Sequence, residues 1–103
     1  MDKPGAPDFI ALHERDNVAT ALHSLPAGTD ARVQWSDGKS AAVHLAEGID
    51  VGHKVALVGI NAGELVIKHG YPMGRATALI SPGAHVHVHN VLSLSGEHGR
   101  EQG

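Results

Sequence analysis

The chain contains no cysteine, which excludes disulfides and thiolate chemistry, and with them a small secreted domain held together by disulfide bridges. Aromatic residues are almost as scarce: one Phe, one Tyr and one Trp among 103 residues leave Val, Leu, Ile and Ala to build the core. Eight Lys and Arg against eleven Asp and Glu give a formal charge of −3 with histidine neutral, so no basic stripe exists to collect phosphates and nucleic acid is not an expected partner. No apolar run approaches the ~20 residues of a membrane span. Met1-Asp2-Lys3-Pro4-Gly5-Ala6-Pro7-Asp8 carries no apolar signal core, so a cytoplasmic chain with no membrane partner is expected. Nucleotide and hydrolase signatures are missing too: there is no GxGxxG after a strand, no GxxxxGK[ST] and no GxSxG. Gly59-Ile60-Asn61-Ala62-Gly63 is too short to cradle a phosphate and reads as a tight turn, and the carboxylates are scattered through turns. An autonomous enzyme is difficult to assemble from these parts.

What the chain does have is thirteen Gly, five Pro and nine His in a length that suits one small domain. Protonating every histidine would carry the charge from −3 to +6, so the surface potential is sensitive to acidity between about pH 5 and 7. Residues 1–8 read as a flexible lead. A first strand is expected over residues 9–13. Asp16 is then placed to cap a short helix whose apolar residues Val18, Ala21, Leu22 and Leu25 follow helical spacing until Pro26-Ala27-Gly28 stops it. Runs at 31–35 and 40–45 flank Ser36-Asp37-Gly38-Lys39, a hairpin signal. Further strands are expected at 54–60, 65–68, 77–80 and 85–91, with Pro72 to Gly74 among the separators. The polar stretch 93–103 reads as a flexible tail. No internal repeat is evident, and no linker divides the chain in two.

His85-Val86-His87-Val88-His89-Asn90 is the most distinctive segment. On one strand it would put the three imidazoles on a polar face and Val86 and Val88 in the core, launched by the turn Ser81-Pro82-Gly83-Ala84. At roughly 3.3 Å per residue, adjacent members of the row start roughly 6.6 Å apart and the outer pair about 13 Å apart. Metal-bound imidazole nitrogens sit about 2.1 Å from the ion. His85 with His87, or His87 with His89, can therefore share an ion, at most two on one ion, and spacing reveals no third ligand. Three uses stay open: a self-contained metal site, a solvated polar face, or a polar row lent to a site that another chain completes.

Three smaller groups carry chemistry of their own. His13-Glu14-Arg15-Asp16-Asn17 offers either a simple cap through Asp16 or His13 and Asn17 facing an anion at a helix N-terminus. Gly52-His53-Lys54 opens one strand and Lys68-His69-Gly70 ends another. Their lysines are either merely solvated or supply positive charge toward a polyanionic or hydroxy-acid substrate.

Taken in order, His13-x-x-Asp16-Asn17-Val18-Ala19, Gly52-His53-Lys54-Val55-Ala56-Leu57, Gly63-Glu64 with Val66-Ile67-Lys68-x-Gly70, Gly74-x-Ala76 and Gly83-x-His85-Val86-His87-x-His89-Asn90 resemble the SAF domain of the altronate/galactarate dehydratase family. The resemblance covers residues 9–92. It implies a mainly β chain with one short helix, in the β-clip fold of short kinked strands and ribbon-like hairpins. It also implies a small subunit that pairs with a large catalytic subunit of the altronate-dehydratase type to eliminate water from an aldonic or aldaric acid, giving a 2-keto-3-deoxy acid. A divalent metal, iron(II) or manganese, is expected mainly on that partner, and the other partner is the small hydroxy-acid substrate. Carried over residue by residue, His87 and His89 take the catalytic role. His85, Asn90, His13, Asp16, Asn17, His53, Lys54 and Lys68 take substrate-binding roles. His69, Glu14 and Val88 depart from the family pattern, where tyrosine, proline and threonine are more usual, and they blur the substrate branch. Two alternatives follow: the small subunit of a sulfolactate sulfo-lyase, and a non-catalytic metal- or ligand-binding SAF module of the kind found in pilus, flagellar and antifreeze proteins.

Overall fold

The computed structural model describes residues 6–94, and they fold as nine short strands in two sheets. β1 (Phe9–Ala11), β2 (Val18–Ala21), β3 (Asp30–Trp35), β4 (Ser40–His44), β5 (Lys54–Ala56) and β8 (His85–Val86) form the larger sheet in the order β4-β3-β1-β2-β5-β8. β6 (Leu65–Lys68), β7 (Tyr71–Ala76) and β9 (Val91–Ser93) form the smaller one, with β7 in the middle. Curled sheets of such short strands agree with the β-clip expectation. Among the described residues no helix is long and apolar enough to cross a membrane. The expected lead and tail fall largely on residues 1–5 and 95–103, outside the described residues. Asp8 is anchored, donating its amide to the Arg32 carbonyl at 2.8 Å and accepting the Arg32 amide on Oδ2 at 2.9 Å.

Two apolar clusters hold the sheets. Phe9, Leu25, Val33, Leu45, Ile49 and Val55 centre the first, and Val18, Ile60, Val66, Ile80 and Val86 the second. Adjacent residues of β2 and of β5 go to different clusters, Val18 and Ala56 to one, Ala19 and Val55 to the other. These two strands are thus buried on both faces, which is why they are built from Val and Ala.

The helix expected from Asp16 onward is not formed, because residues 18–21 are β2. Val18↔Ala56 and Thr20↔Lys54 tie that strand to β5, while Ile10↔Thr20 ties it to β1. Leu22, one of the four residues of the helical spacing, is 45% exposed. Local periodicity loses here to ladder bonds on both sides of a β-branched segment. Strands expected at 54–60 and 77–80 are also shorter or absent, for only 54–56 is strand and residues 77–80 form a bend and an isolated bridge. Pro72 to Gly74, read as a separator, lies inside β7. Pro72 is tolerated because the register shifts beside it and β9 pairs only with residues 74–76.

A repeat escaped the sequence reading. Leu25-Pro26-Ala27-Gly28, Ile49-Asp50-Val51-Gly52, Ile60-Asn61-Ala62-Gly63 and Ile80-Ser81-Pro82-Gly83 share one conformation: a buried aliphatic residue, a turn, and a glycine with φ between 83° and 87°. The aliphatic residues bridge in pairs, Leu25 with Ile49 and Ile60 with Ile80, each pair exchanging two backbone hydrogen bonds of 2.8–2.9 Å. A spacing of eleven to twenty-four residues between unequal copies hid this pattern.

Gly83 and Gly28 separate two costs of substitution. Both have positive φ, yet a Cβ on Gly28 meets nothing within 4 Å, whereas one on Gly83 would collide with the His44 carbonyl. Gly28→Ala is expected to lower stability by about 1 kcal/mol, and Gly83→Ala by about 3 kcal/mol. Urea unfolding of the two variants measures the difference.

Candidate functional site

The histidine segment is not one strand. Only His85–Val86 is β8, and residues 87–90 turn back to start β9. Asn90 holds that turn: its Oδ1 accepts the His87 amide at 2.9 Å, and its Nδ2 donates to the His85 carbonyl at 2.9 Å. Val86 is fully buried as expected. Val88 is 82% exposed, because the turn rotates it away from the core. The same turn folds the row back on itself, bringing the His85 and His89 ring centroids to 5.2 Å, where a straight strand would have kept the residues about 13 Å apart.

The neighbour that spacing did not reveal is His53. β5 and β8 pair through Lys54↔Val86 and Val55↔His85, placing His53 at the end of the ladder beside the row. His53 Nδ1 and His85 Nε2 are 2.8 Å apart, one ring donating and the other accepting. Their centroids lie 5.1 Å apart with planes 14° from parallel. That separation is the N···N distance plus about one ring radius at each end, so these two rings meet edge to edge. His87 stacks on the face of His53, with 4.1 Å between centroids.

Positive groups gather around this cluster. Burial lowers the pKa of Lys54, and the Lys68 ammonium lowers it further. Burial also pushes His85 and His87 below the ordinary imidazole value. His53 and His89 add to the effect at both, with His87 acting on His85 and Lys54 on His87. Glu47, whose Oε2 accepts the His85 amide at 3.0 Å, opposes the shift at His85. An apolar recess of about 180 Å³ opens beside the cluster, lined by Lys54, Met73, Val86, His87, Val88 and Val91.

His53, Lys54, His85, His87 and His89 are therefore brought together, with Lys68 close enough to act on Lys54. His13, Asp16, Asn17 and Asn90 do other work. Asn17 Oδ1 accepts the Ile67 amide at 2.7 Å and its Nδ2 donates to the Leu65 carbonyl at 2.9 Å. Asp16, buried, accepts the Leu12 and His13 amides on Oδ2 and the Gly70 amide on Oδ1. Burial alone would raise the Asp16 pKa, but the amides of Gly70, His13, His69 and Leu12 outweigh it and leave the carboxyl below its ordinary value. The His13 ring stands over Gly70, and its Nδ1 accepts the Arg15 amide at 3.0 Å.

One nitrogen from each of His53, His85 and His87 lies within 4.8 Å of the others, a donor set whose chemistry fits a borderline transition metal. No carboxylate belongs to this group, and the adjacent ammonium of Lys54 attracts anions. The arrangement can bind a carboxylate and exchange protons through neutral imidazoles.

The family model of the altronate/galactarate dehydratase SAF domain matches residues 7–94. The chain is 44% identical over 82 residues to an altronate dehydratase of Escherichia coli (strain K12), covering 80% of this chain and 16% of that enzyme. It is 44% identical over 88 residues to the (2R)-sulfolactate sulfo-lyase subunit alpha of Chromohalobacter salexigens, covering 82% of this chain and 92% of that subunit. A galactarate dehydratase (L-threo-forming) of Escherichia coli (strain K12) is 37% identical over 78 residues. The chain thus spans a small fraction of the dehydratases and nearly the whole of the sulfo-lyase subunit.

The depressed histidines set the response to acid. A group whose folded pKa lies below its unfolded value of 6.5 takes up its proton more readily in the unfolded chain, so its stability contribution is complete above pH 6.5 and shrinks as the pH falls through and below it. The Asp16 contribution persists until the pH drops below 3.8. Thermal melts are expected to show a decline beginning near pH 6.5 that flattens in the His85→Asn/His87→Asn double variant, and a separate loss below pH 3.8 that remains.

Proposed function

Because the chain belongs to the altronate/galactarate dehydratase SAF-domain family, we propose that it is the small subunit of a cytoplasmic sugar-acid hydro-lyase, paired with a large catalytic subunit of the altronate-dehydratase type. The reaction eliminates water from an aldonic or aldaric acid to give a 2-keto-3-deoxy acid. The observation that carries this reading is the one-sided chemistry of the site, in which imidazoles and ammonium groups cluster with no carboxylate among the metal-competent set. Elimination from a hydroxy acid needs a base for the α-proton, an acid for the departing hydroxyl and a cation for the developing enolate.

This chain supplies part of that set. Lys54, reinforced by Lys68, attracts the substrate carboxylate. His87 and His89, at the exposed turn, exchange protons with the substrate, and His85 and His53 fix the position of the row through their shared hydrogen bond. Asp16, Asn17 and Asn90 are positioning residues, because their side chains are engaged with backbone amides and carbonyls. A divalent metal, iron(II) or manganese, would stabilise the enolate and is assigned mainly to the large subunit.

A second reading is the alpha-type subunit of a (2R)-sulfolactate sulfo-lyase, supported by the 92% coverage of such a subunit. It keeps the same division of labour and changes the leaving group from hydroxide to sulfite.

Co-expression with a large dehydratase-type partner tests both. The expected result is a stable complex that forms a 2-keto-3-deoxy acid from altronate or galactarate, with His87→Ala lowering kcat/KM by about 10²–10⁴-fold. Release of sulfite from (2R)-sulfolactate, without dehydration, selects the second reading. A chain that neither binds nor activates such a partner refutes the two together.

A further inference from the structure

We propose that His53, His85 and His87 form a three-imidazole site for a divalent transition metal of the zinc and iron(II) class, carried by this chain itself. The inference differs from the elimination reading, which assigns the metal mainly to the large subunit, in replacing the His53–His85 hydrogen bond by ligation, and it stands without that reading. The donor nitrogens come from the residue just before β5, from β8 and from the turn after β8, and all lie within 4.8 Å of one another. Two imidazoles on one ion, each about 2.1 Å from it, are at most about 4.2 Å apart. The distances fit one ion, and closing on it requires His53 and His85 to part from 2.8 Å and the His87 ring to turn out of its stacked pose so that its nitrogen faces theirs.

That movement gives up the stacking of His87 on His53 and the His53–His85 hydrogen bond. The His53–His85 hydrogen bond is the one polar contact recorded for either ring, and no hydrogen bond holds the His87 ring among the described contacts. A metal that takes both hydrogen-bonded nitrogens displaces the proton between them, and tautomerism moves that proton to the far nitrogen of its own ring. The neutral pair thus binds without changing its total proton count. Three neutral nitrogens with no carboxylate suit zinc, iron, nickel or copper far better than magnesium or calcium, which demand oxygen ligands.

Three protein ligands leave room for one or two others on a four- or five-coordinate ion, and the neighbouring turn residues Val88 and His89 are exposed. Lys54, next to His87, opposes a bare cation and favours one that carries an anionic ligand. An α-hydroxy-carboxylate, which chelates through its hydroxyl and one carboxylate oxygen, would add two ligands and make the ion five-coordinate. Metal and hydroxy acid are then expected to strengthen each other's binding.

Titration of the 103-residue chain with Co²⁺ and Zn²⁺, followed by calorimetry and by the visible absorption of Co²⁺, tests the proposal without partner or substrate. One equivalent is expected to bind, with ring ¹⁵N shifts at His53, His85 and His87 in the unmodified chain. His53→Gln, His85→Gln and His87→Gln should each weaken binding tenfold or more. His23→Gln and His44→Gln, which alter surface pairs with Asp8 and Asp30, should change it less than twofold. Glycolate should tighten Co²⁺ binding in the unmodified chain and not in Lys54→Met. Absence of saturable binding, affinity unchanged by His53→Gln, or ¹⁵N shifts confined to other histidines would overturn the proposal, whatever the outcome of the reconstitution with a large subunit.

Discussion

The architecture depends on the way Asp16 and Asn17 fasten the small sheet to the large one. Asn17 presents its amide to Ile67 N and Leu65 O as another strand would, and Asp16 gathers amides from residues 12, 13 and 70. Each of these groups is wholly or partly withdrawn from water, where an unmatched amide costs about 1–3 kcal/mol. With β6 fixed against the entry to β2, the second apolar cluster closes over Val18 and Ala56. Lys68, at the end of β6, is thereby brought within electrostatic reach of Lys54.

Two registers then determine the site. β5 against β8 sets His53 beside His85, and β7 against β9 sets where the chain must return after the 87–90 turn. Gly74 permits the second pairing, since a Cβ there would lie 2.5 Å from the Leu92 carbonyl oxygen. The histidines are consequently held on a scaffold of ladders while their rings are tied to one another by stacking and a hydrogen bond. Such a combination suits groups that must change proton or ligand without disturbing the fold.

Much of this was readable in the residues, and the failures have physical causes. The hairpin at Asp37-Gly38 was evident because Asp-Gly stands between two extended runs, and the structure gives that glycine the positive φ, 95°, that such a turn needs. The resemblance, resting on ordered motifs, identified the family and the histidine-rich edge. Helical spacing at 18–25 misled because cross-strand pairing, invisible to a local window, overrode it. His53 was noticed as a residue but not as a neighbour of His85, since strand adjacency across 32 residues cannot be inferred from spacing. Asp16, read either as a cap or by resemblance as substrate-binding, and Asn17 and Asn90 hold backbone groups here, and a polar side chain so engaged has the same sequence appearance as one awaiting a substrate.

The brevity of β8 has a consequence of its own. Only His85 and Val86 are in the ladder, and Gly83 is wedged against the His44 carbonyl just before them, which anchors the approach to the strand. Because faces alternate residue by residue, inserting or deleting one position between Gly83 and His85 would send an imidazole into the apolar interior and expose a valine in its place. The approach to β8 is therefore constrained in length as well as at Gly83, and evolution of this edge would have to respect both.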